Sequence, residues 1–255
     1  MNIDTEEFAG RLALVTGAAG EGIGQAIARR LARGGATVVV TDVHERRTQE
    51  VTAAIAEETG ATVRGFLLDI GDRQQAAHVM AQVESELGPV TILVNNAALN
   101  VQGDIFDYDP EVFEHVIAGN ITGSWYLAAL AGQQMKRAGG GSIVNIGSIA
   151  ADRGSAAYEP AYAMSKGALH SLTQGLAKAG GPFNIRANEV TMGVVAGTRF
   201  MSKMPEVLEE FLPQVPLGRH AVPEDIAEAV AYLASERSSF ITGDILNASG
   251  GFLFR

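Results

Sequence analysis

The sequence predicts an α/β fold: a doubly wound parallel sheet of about seven strands with helices on both faces, in a single domain. Three observations predict it. Short runs rich in Val, Ile and Leu alternate with longer segments whose apolar residues recur at helical spacing, the signature of βαβ units with right-handed crossovers. Those runs are apolar throughout, as strands buried on both faces of a parallel sheet are. The first of them ends in a glycine-rich loop that opens directly into a helical pattern.

The elements follow in order. Residues 12–16 (LALVT) form the first buried strand, and the helix QAIARRLARGG after the loop is stopped by Gly34 and Gly35. A second strand covers 36–41 and ends at Asp42. A helix over 46–58 stops at Gly60. The third strand, 61–68, ends in Asp69-Ile70, and a helix over 73–87 gives way to Gly88-Pro89. Residues 91–94 make strand four, closed by Asn95-Asn96-Ala97-Ala98. A long helical region over about 110–137 leads across Gly139–Gly141 to a fifth strand, SIVNIGS, ending at Ser148. After Pro160, whose fixed φ suits a first helical turn, AYAMSKGALHSLTQGLAKA reads as a helix. Residues 184–190 form strand six, 223–235 a further helix and 243–247 the last strand. Residues 1–10 read as an N-terminal extension to a domain over 11–255. The stretch 191–219 differs in kind: methionine, phenylalanine and proline recur there without a period, and it is expected to be a substrate lid.

Composition narrows the function. The chain has 255 residues, 47% hydrophobic and 19% charged, an ordinary globular balance. A net charge of −10 argues against nucleic acid or an anionic membrane as partner. With no cysteine, disulfides, thiolate nucleophiles and sulfur-ligated metals are excluded. The five histidines have no metal-binding spacing. The N-terminal residues lack the basic and apolar segments of a secretion signal, and no apolar run reaches membrane-spanning length, so a cytoplasmic protein is expected.

Gly17, Gly20, Gly22 and Gly24, with Ile23, lie between a strand and a helix. Glycine lets a backbone approach a pyrophosphate closely, and a helix N-terminus offers N–H groups and a positive dipole end. A dinucleotide site is expected there. Asp42, about twenty residues on, suits the hydroxyls of an adenosine ribose; as a helix N-cap it would serve equally well. On the helix after Pro160, Tyr162 and Lys166 are four apart and share a face. Ser148 ends a strand, where an open α/β sheet places its ligand crevice, so hydroxyl, phenol and ammonium can converge.

Tyr162-x-x-x-Lys166 with a serine fourteen residues earlier, and the glycine loop and acidic strand end upstream, resembles the signature of the classical short-chain dehydrogenase/reductases. The resemblance extends over about residues 11–251 and implies a Rossmann-type fold. It implies Asn120, Ser148, Tyr162 and Lys166 as the catalytic set, Asn120 holding a water that links Lys166 to solvent. It implies cofactor contacts from Asp69 and Ile70 at the adenine, and from Asn96 and Ala97 beside the ribose. Tyr162 and Lys166 would also reach the nicotinamide side, and Val195 and Thr198 the carboxamide. Two departures stand out: the glycine loop is one residue longer than the family's TGxxxGxG, and Met192 replaces the proline of the family's PG.

The expected chemistry is NAD(H)-dependent interconversion of a secondary alcohol and a ketone. A free phenol, with pKa ~10, is a poor base; a neighbouring ammonium and a cationic nicotinamide are expected to lower it. Ser148 would steady the substrate oxygen. Asp42 and Glu21 favour NAD over NADP; Arg46 and Arg47 are the counter-evidence, read as a solvated basic face. Phe200, Met201, Met204, Phe211 and Leu212 suggest an apolar, adaptable lid over an apolar substrate. An NADPH-dependent 3-oxoacyl-thioester reductase and a non-catalytic dinucleotide-binding regulator stay open as alternatives. Resemblance further implies a homotetramer, built on the alanine- and glycine-rich helices.

Overall fold

The computed structural model describes residues 5–199 and 201–254. Its centre is a sheet of seven parallel strands: β1 (Leu12–Thr16), β2 (Thr37–Asp42), β3 (Val63–Leu67), β4 (Ile92–Asn95), β5 (Gly141–Ile146), β6 (Ile185–Met192) and β7 (Ile245–Ala248), in the order β3-β2-β1-β4-β5-β6-β7. The order reverses between β1 and β4, and it is at such a switch point that doubly wound sheets bind their ligands.

The helices are α1 (Ile23–Arg33), α2 (Glu45–Thr59), α3 (Arg73–Leu87), α4 (Pro110–Ile117), α5 (Ser124–Ala138), α6 (Pro160–Gly180), α7 (Pro205–Phe211) and α8 (Pro223–Ala234). One face of the sheet packs Val15, Val38 and Val40 against Ile27 and Leu31 of α1 and Ile226 and Val230 of α8. The other packs Leu14, Val39 and Leu93 against Val79 and Met80 of α3 and Leu127 and Met135 of α5. The strands read as unbroken apolar runs because each sends successive side chains into two different cores.

Three local features depart from the simple sequence pattern. Residues 110–138 are not one helix: α4 and α5 are joined by a π-helical turn, Ala118–Gly123, with Asn120 inside it. Strand β6 continues through Met192, which pairs with Ala248; methionine keeps the N–H that proline would lack, so the ladder is not cut short. Before β1, Phe8 is buried (1% exposed) in the α1–α8 core. Glu7 holds Arg30 at 2.6 Å, and Glu228 of α8 holds the same guanidinium at 2.8 Å. No helix among the described residues is long and apolar enough to cross a membrane.

Candidate active site

The switch-point crevice is assembled by a few hydroxyls and amides. Thr16, the last residue of β1, accepts hydrogen bonds at Oγ1 from the backbone N–H groups of Asn96 and Ala97, each at 3.0 Å. The Asn96 amide returns across the gap, donating to the carbonyls of Thr16 (2.8 Å) and Gly17 (3.0 Å). The loop after β4 is thereby stapled to the glycine loop. Asn95 is buried and donates to Ser124 O and Asn145 Oδ1. These asparagines tie separate backbone segments together.

Two glycines are required by contact. A Cβ on Gly17, where φ is +62°, would lie 2.8 Å from Ala97 Cα, and one on Gly24 would lie 2.6 Å from Gly17 O. Gly20 is different: a Cβ there would meet nothing within 4 Å, so its backbone borders open space. Gly22 begins α1 with no side-chain cap, and no acidic residue occupies the first turn with Ile23. Uncapped amides beside an open glycine form the cradle a pyrophosphate needs. Asp42 closes this end. Its carboxylate accepts from Ala19 N and His44 N, both at 3.2 Å, which joins it to the glycine loop, and burial raises its pKa. The donor set therefore fits a dinucleotide.

Arg46 is exposed and paired with Glu50, as a solvated face would be. Arg47 is not: it is half-buried, its charge acts on Asp42, and its Nε is buried without a hydrogen-bond partner. Asp69 is exposed and accepts at Oδ1 from Gly71 N at 2.8 Å, a turn contact. Ile70 beside it is buried, and its carbonyl is where a Cβ on Gly123 of the π-helical turn would collide. The turn needs glycine at that point.

At the ends of β5 and α6 the other groups meet. Ser148 accepts from Ala150 N at 3.1 Å, capping the short turn that follows it, and hydrogen-bonds the Tyr162 phenol. Lys166 is buried; its Nζ donates to Ile146 O at 2.7 Å and lies 5.4 Å from the centre of the Tyr162 ring. The electrostatics differ from expectation. Burial pushes Tyr162 up to about 12, the Ser148 hydrogen bond pulls it back in part, and Glu159 raises it further. Burial pulls Lys166 down to about 8, against the charge of Glu189. In the protein alone, desolvation is the largest effect, and Tyr162 is held as a phenol.

Asn120 is buried in the π-helical turn. It accepts from Leu99 N (2.8 Å), donates to Leu99 O (2.9 Å), and donates to Ser165 Oγ (3.0 Å). Ser165 in turn donates to Tyr162 O at 2.7 Å. Ser165 is fully buried and clamps the Asn120 turn to α6. Its signal was only its place between Tyr162 and Lys166. Tyr158 is 76% exposed, a surface residue. Glu159 accepts from Asn100 at 2.6 Å, and burial raises its pKa.

The segment that follows β6 touches the glycine loop. A Cβ on Gly22 would lie 3.5 Å from the Thr198 side chain, and Arg199 N donates to Glu21 O at 3.1 Å. Val195 is buried and bridges to Ala221. Farther along, Phe211 packs on Phe252, with ring centroids 5.6 Å apart, and Arg153 covers Phe252 at 4.2 Å. Met201 is buried, Met204 half-buried and Leu212 exposed; Phe200 lies outside the described residues.

Comparison with known proteins gives the class. A family model described as Enoyl-(Acyl carrier protein) reductase matches residues 17–253. The chain belongs to the short-chain dehydrogenase/reductase family, oxidoreductases that bind a nicotinamide dinucleotide and act on alcohol, ketone or 3-oxoacyl substrates. A 3alpha-hydroxysteroid dehydrogenase of Mediterraneibacter gnavus is 34% identical over 245 residues, covering 94% of this chain and 96% of the relative. An acetoacetyl-CoA reductase of Rhizobium meliloti is 35% identical over 246 residues, covering 96% and 99%. The crystal structure of a gluconate 5-dehydrogenase from Burkholderia cenocepacia, in complex with NADP and tartrate, matches with a TM-score of 0.90 at 27% identity, covering 98% of this chain and 97% of that one.

Proposed function

We propose that the protein interconverts a secondary alcohol and a ketone with NAD(H), Tyr162 acting as general acid and base. The observation that carries this reading is the meeting of Ser148, Tyr162 and Lys166 at the carboxyl end of β5. The nicotinamide, when bound, takes or gives the hydride. The chain's own residues handle the proton. Tyr162 Oη receives it from the alcohol in oxidation and returns it in reduction. Ser148 Oγ, already bonded to that phenol, donates to the substrate oxygen as charge grows on it. Lys166, when protonated, favours the phenolate electrostatically and so offsets the desolvation that holds Tyr162 up. Asn120 fixes the loop at Leu99 against α6, so that both walls of the pocket keep their spacing.

Gly17, Gly20, Gly22, Ile23 and Gly24 would cradle the pyrophosphate, with Asp42 at the adenosine ribose. Asp69 and Ile70 would take the adenine, Asn96 and Ala97 the nicotinamide ribose with Tyr162 and Lys166, and Val195 and Thr198 the carboxamide. Asp42 favours a free ribose hydroxyl over a phosphate, since two negative charges would meet in a partly desolvated place. The lid, with Met201, Met204 and Phe211, suits an apolar substrate. We place the protein in the cytoplasm as a homotetramer: Trp125 of α5 and Met164 of α6 are exposed, as is Phe106 in the loop before α4, and a Cβ on Gly132, Gly167 or Gly175 would meet nothing within 4 Å.

Arg47 favours a second reading. Beside Asp42 and with a buried, unpartnered Nε, it could receive a 2′-phosphate, which suits an NADPH-dependent 3-oxoacyl-thioester reductase; the Rhizobium relative is an acetoacetyl-CoA reductase. The two are separated by kcat/KM with NAD and NADP, using a panel of secondary alcohols and a 3-oxoacyl thioester, on wild type and Asp42→Ala. NAD is expected to lead by roughly 30-fold, about 2 kcal/mol, and the lead to shrink in Asp42→Ala. Equal or better efficiency with NADP in the wild type refutes the NAD assignment.

A further inference from the structure

One charged group of the α6–β6 face has no part in the reaction as drawn. Glu189, in the middle of β6, is 0% exposed, a place where carboxylates are found only when partnered. Its Oε2 lies 2.8 Å from Nδ1 of His170, one turn of α6 beyond Lys166. The other ring nitrogen of His170 reaches toward solvent, 3.9 Å from Asp152 Oδ2, with the side chain 19% exposed.

The backbone is fitted around this carboxylate. A Cβ on Gly147 would collide with Glu189, so only glycine fits after β5. The carbonyl immediately before Gly147, Ile146 O, is the one Lys166 Nζ holds at 2.7 Å. Ammonium and carboxylate therefore both border the Ile146–Gly147 peptide. The titratable groups around Lys166 are Tyr162 and His170 from α6, Glu189 from β6 and, through His170, Asp152 from the loop after β5; Glu159 acts on Tyr162 from the start of α6.

We propose that Glu189 is a positioning residue that acts through Lys166: its carboxylate is the counter-charge that keeps the lysine an ammonium inside a dry crevice, and His170 keeps the carboxylate ionised by donating from Nδ1. The inference rests on the Tyr162–Lys166 reading above. Its physical basis is desolvation. A buried ammonium loses hydration and tends to shed its proton, and a fixed negative charge across one peptide opposes that. A buried carboxylate in turn tends to take up a proton unless a donor meets it. The direction found for Lys166, lowered by burial and raised by Glu189, agrees with this geometry.

The test is the pH profile of kcat/KM for alcohol oxidation. Lys166 must be protonated to act, and once the cationic nicotinamide of the bound cofactor has brought the Tyr162 phenol below it, loss of the lysine proton is the alkaline limb. In Glu189→Gln that limb should move down by about one pH unit, with about tenfold loss at pH ~9 and much less at pH ~7. His170→Ala, made nearer the surface, should reproduce the shift, and adding it to Glu189→Gln should cost little more; Glu189→Asp should restore most of it. A readout without activity follows from linkage. Lys166 has a folded pKa lowered to about 8 from 10.5, so the unfolded chain binds more protons between those values and stability rises with pH across that window. In Glu189→Gln the rise in Tm should begin about one unit lower. Tyr162→Phe serves as control. If it stays active, the underlying mechanism falls and this inference with it. If it is inactive and the limbs of Glu189→Gln and His170→Ala remain at the wild-type pH, the Glu189 role alone is overturned. Should Glu189→Gln not fold, His170→Ala decides.

Discussion

Ser148→Ala separates catalysis from structure, because the one hydroxyl does three jobs that can be told apart. As a cap it accepts from Ala150 N at 3.1 Å; losing such a bond costs about 1 kcal/mol, a fall in Tm of roughly 2–4 °C for a chain of this size. As the partner of Tyr162 it opposes the burial that drives the phenol up to about 12. Without it the phenol moves further up, and in alcohol oxidation the acid limb of the profile moves to higher pH. As the donor to the substrate oxygen it is worth about 10²–10³ in kcat, roughly 3–4 kcal/mol. The assay is absorbance of the reduced cofactor over a range of pH, with calorimetric Tm on the same samples. A variant whose Tm falls by a few degrees while kcat stays within fivefold of wild type would refute the assignment. A variant that loses kcat only in proportion to unfolded protein would refute it too.

Tyr162→Phe is expected to abolish turnover while Tm and cofactor binding, followed by fluorescence quenching, change little; Tyr158→Phe, at an exposed position, should behave as wild type, and the reverse pattern would mean that the other tyrosine does the work. Sedimentation at micromolar concentration should give a species four times the 26.7 kDa chain, and a single species of chain mass would rule out the tetramer.

Much of this architecture is legible because its signals are local. Buried parallel strands are short continuous apolar runs, glycines mark the turn into α1, and Tyr162 and Lys166 share one helix face by spacing alone. What escapes the sequence depends on contacts between distant segments. Nothing near residue 120 says that the helical register slips there; the π-helical turn arises because Asn120 bonds Leu99 and Ser165 at once and because Gly123 must clear the Ile70 carbonyl. Glu189 looks like a polar interruption of a strand until β6 is set beside Gly147 and His170. Arg47 looks like half of a basic pair, yet one residue's rotation along α2 leaves Arg46 with Glu50 and turns Arg47 toward Asp42. The phenol's raised pKa is likewise invisible in a motif, because desolvation is a property of the whole crevice.

The bond from Arg199 N to Glu21 O and the contact of Thr198 with Gly22 place the two ends of a ternary complex in mechanical series. The proposed lid hangs from the backbone at Glu21 and Gly22 that is also proposed to meet the pyrophosphate. Movement at the glycine loop is therefore leverage on the lid root, and the enclosure for the alcohol is finished only once that loop has come to rest. Assembly acquires a direction from this. The dinucleotide should enter first and leave last, and a dead-end analogue of the alcohol should inhibit uncompetitively against oxidised cofactor; a noncompetitive pattern, the mark of random order, would mean that the hinge transmits nothing.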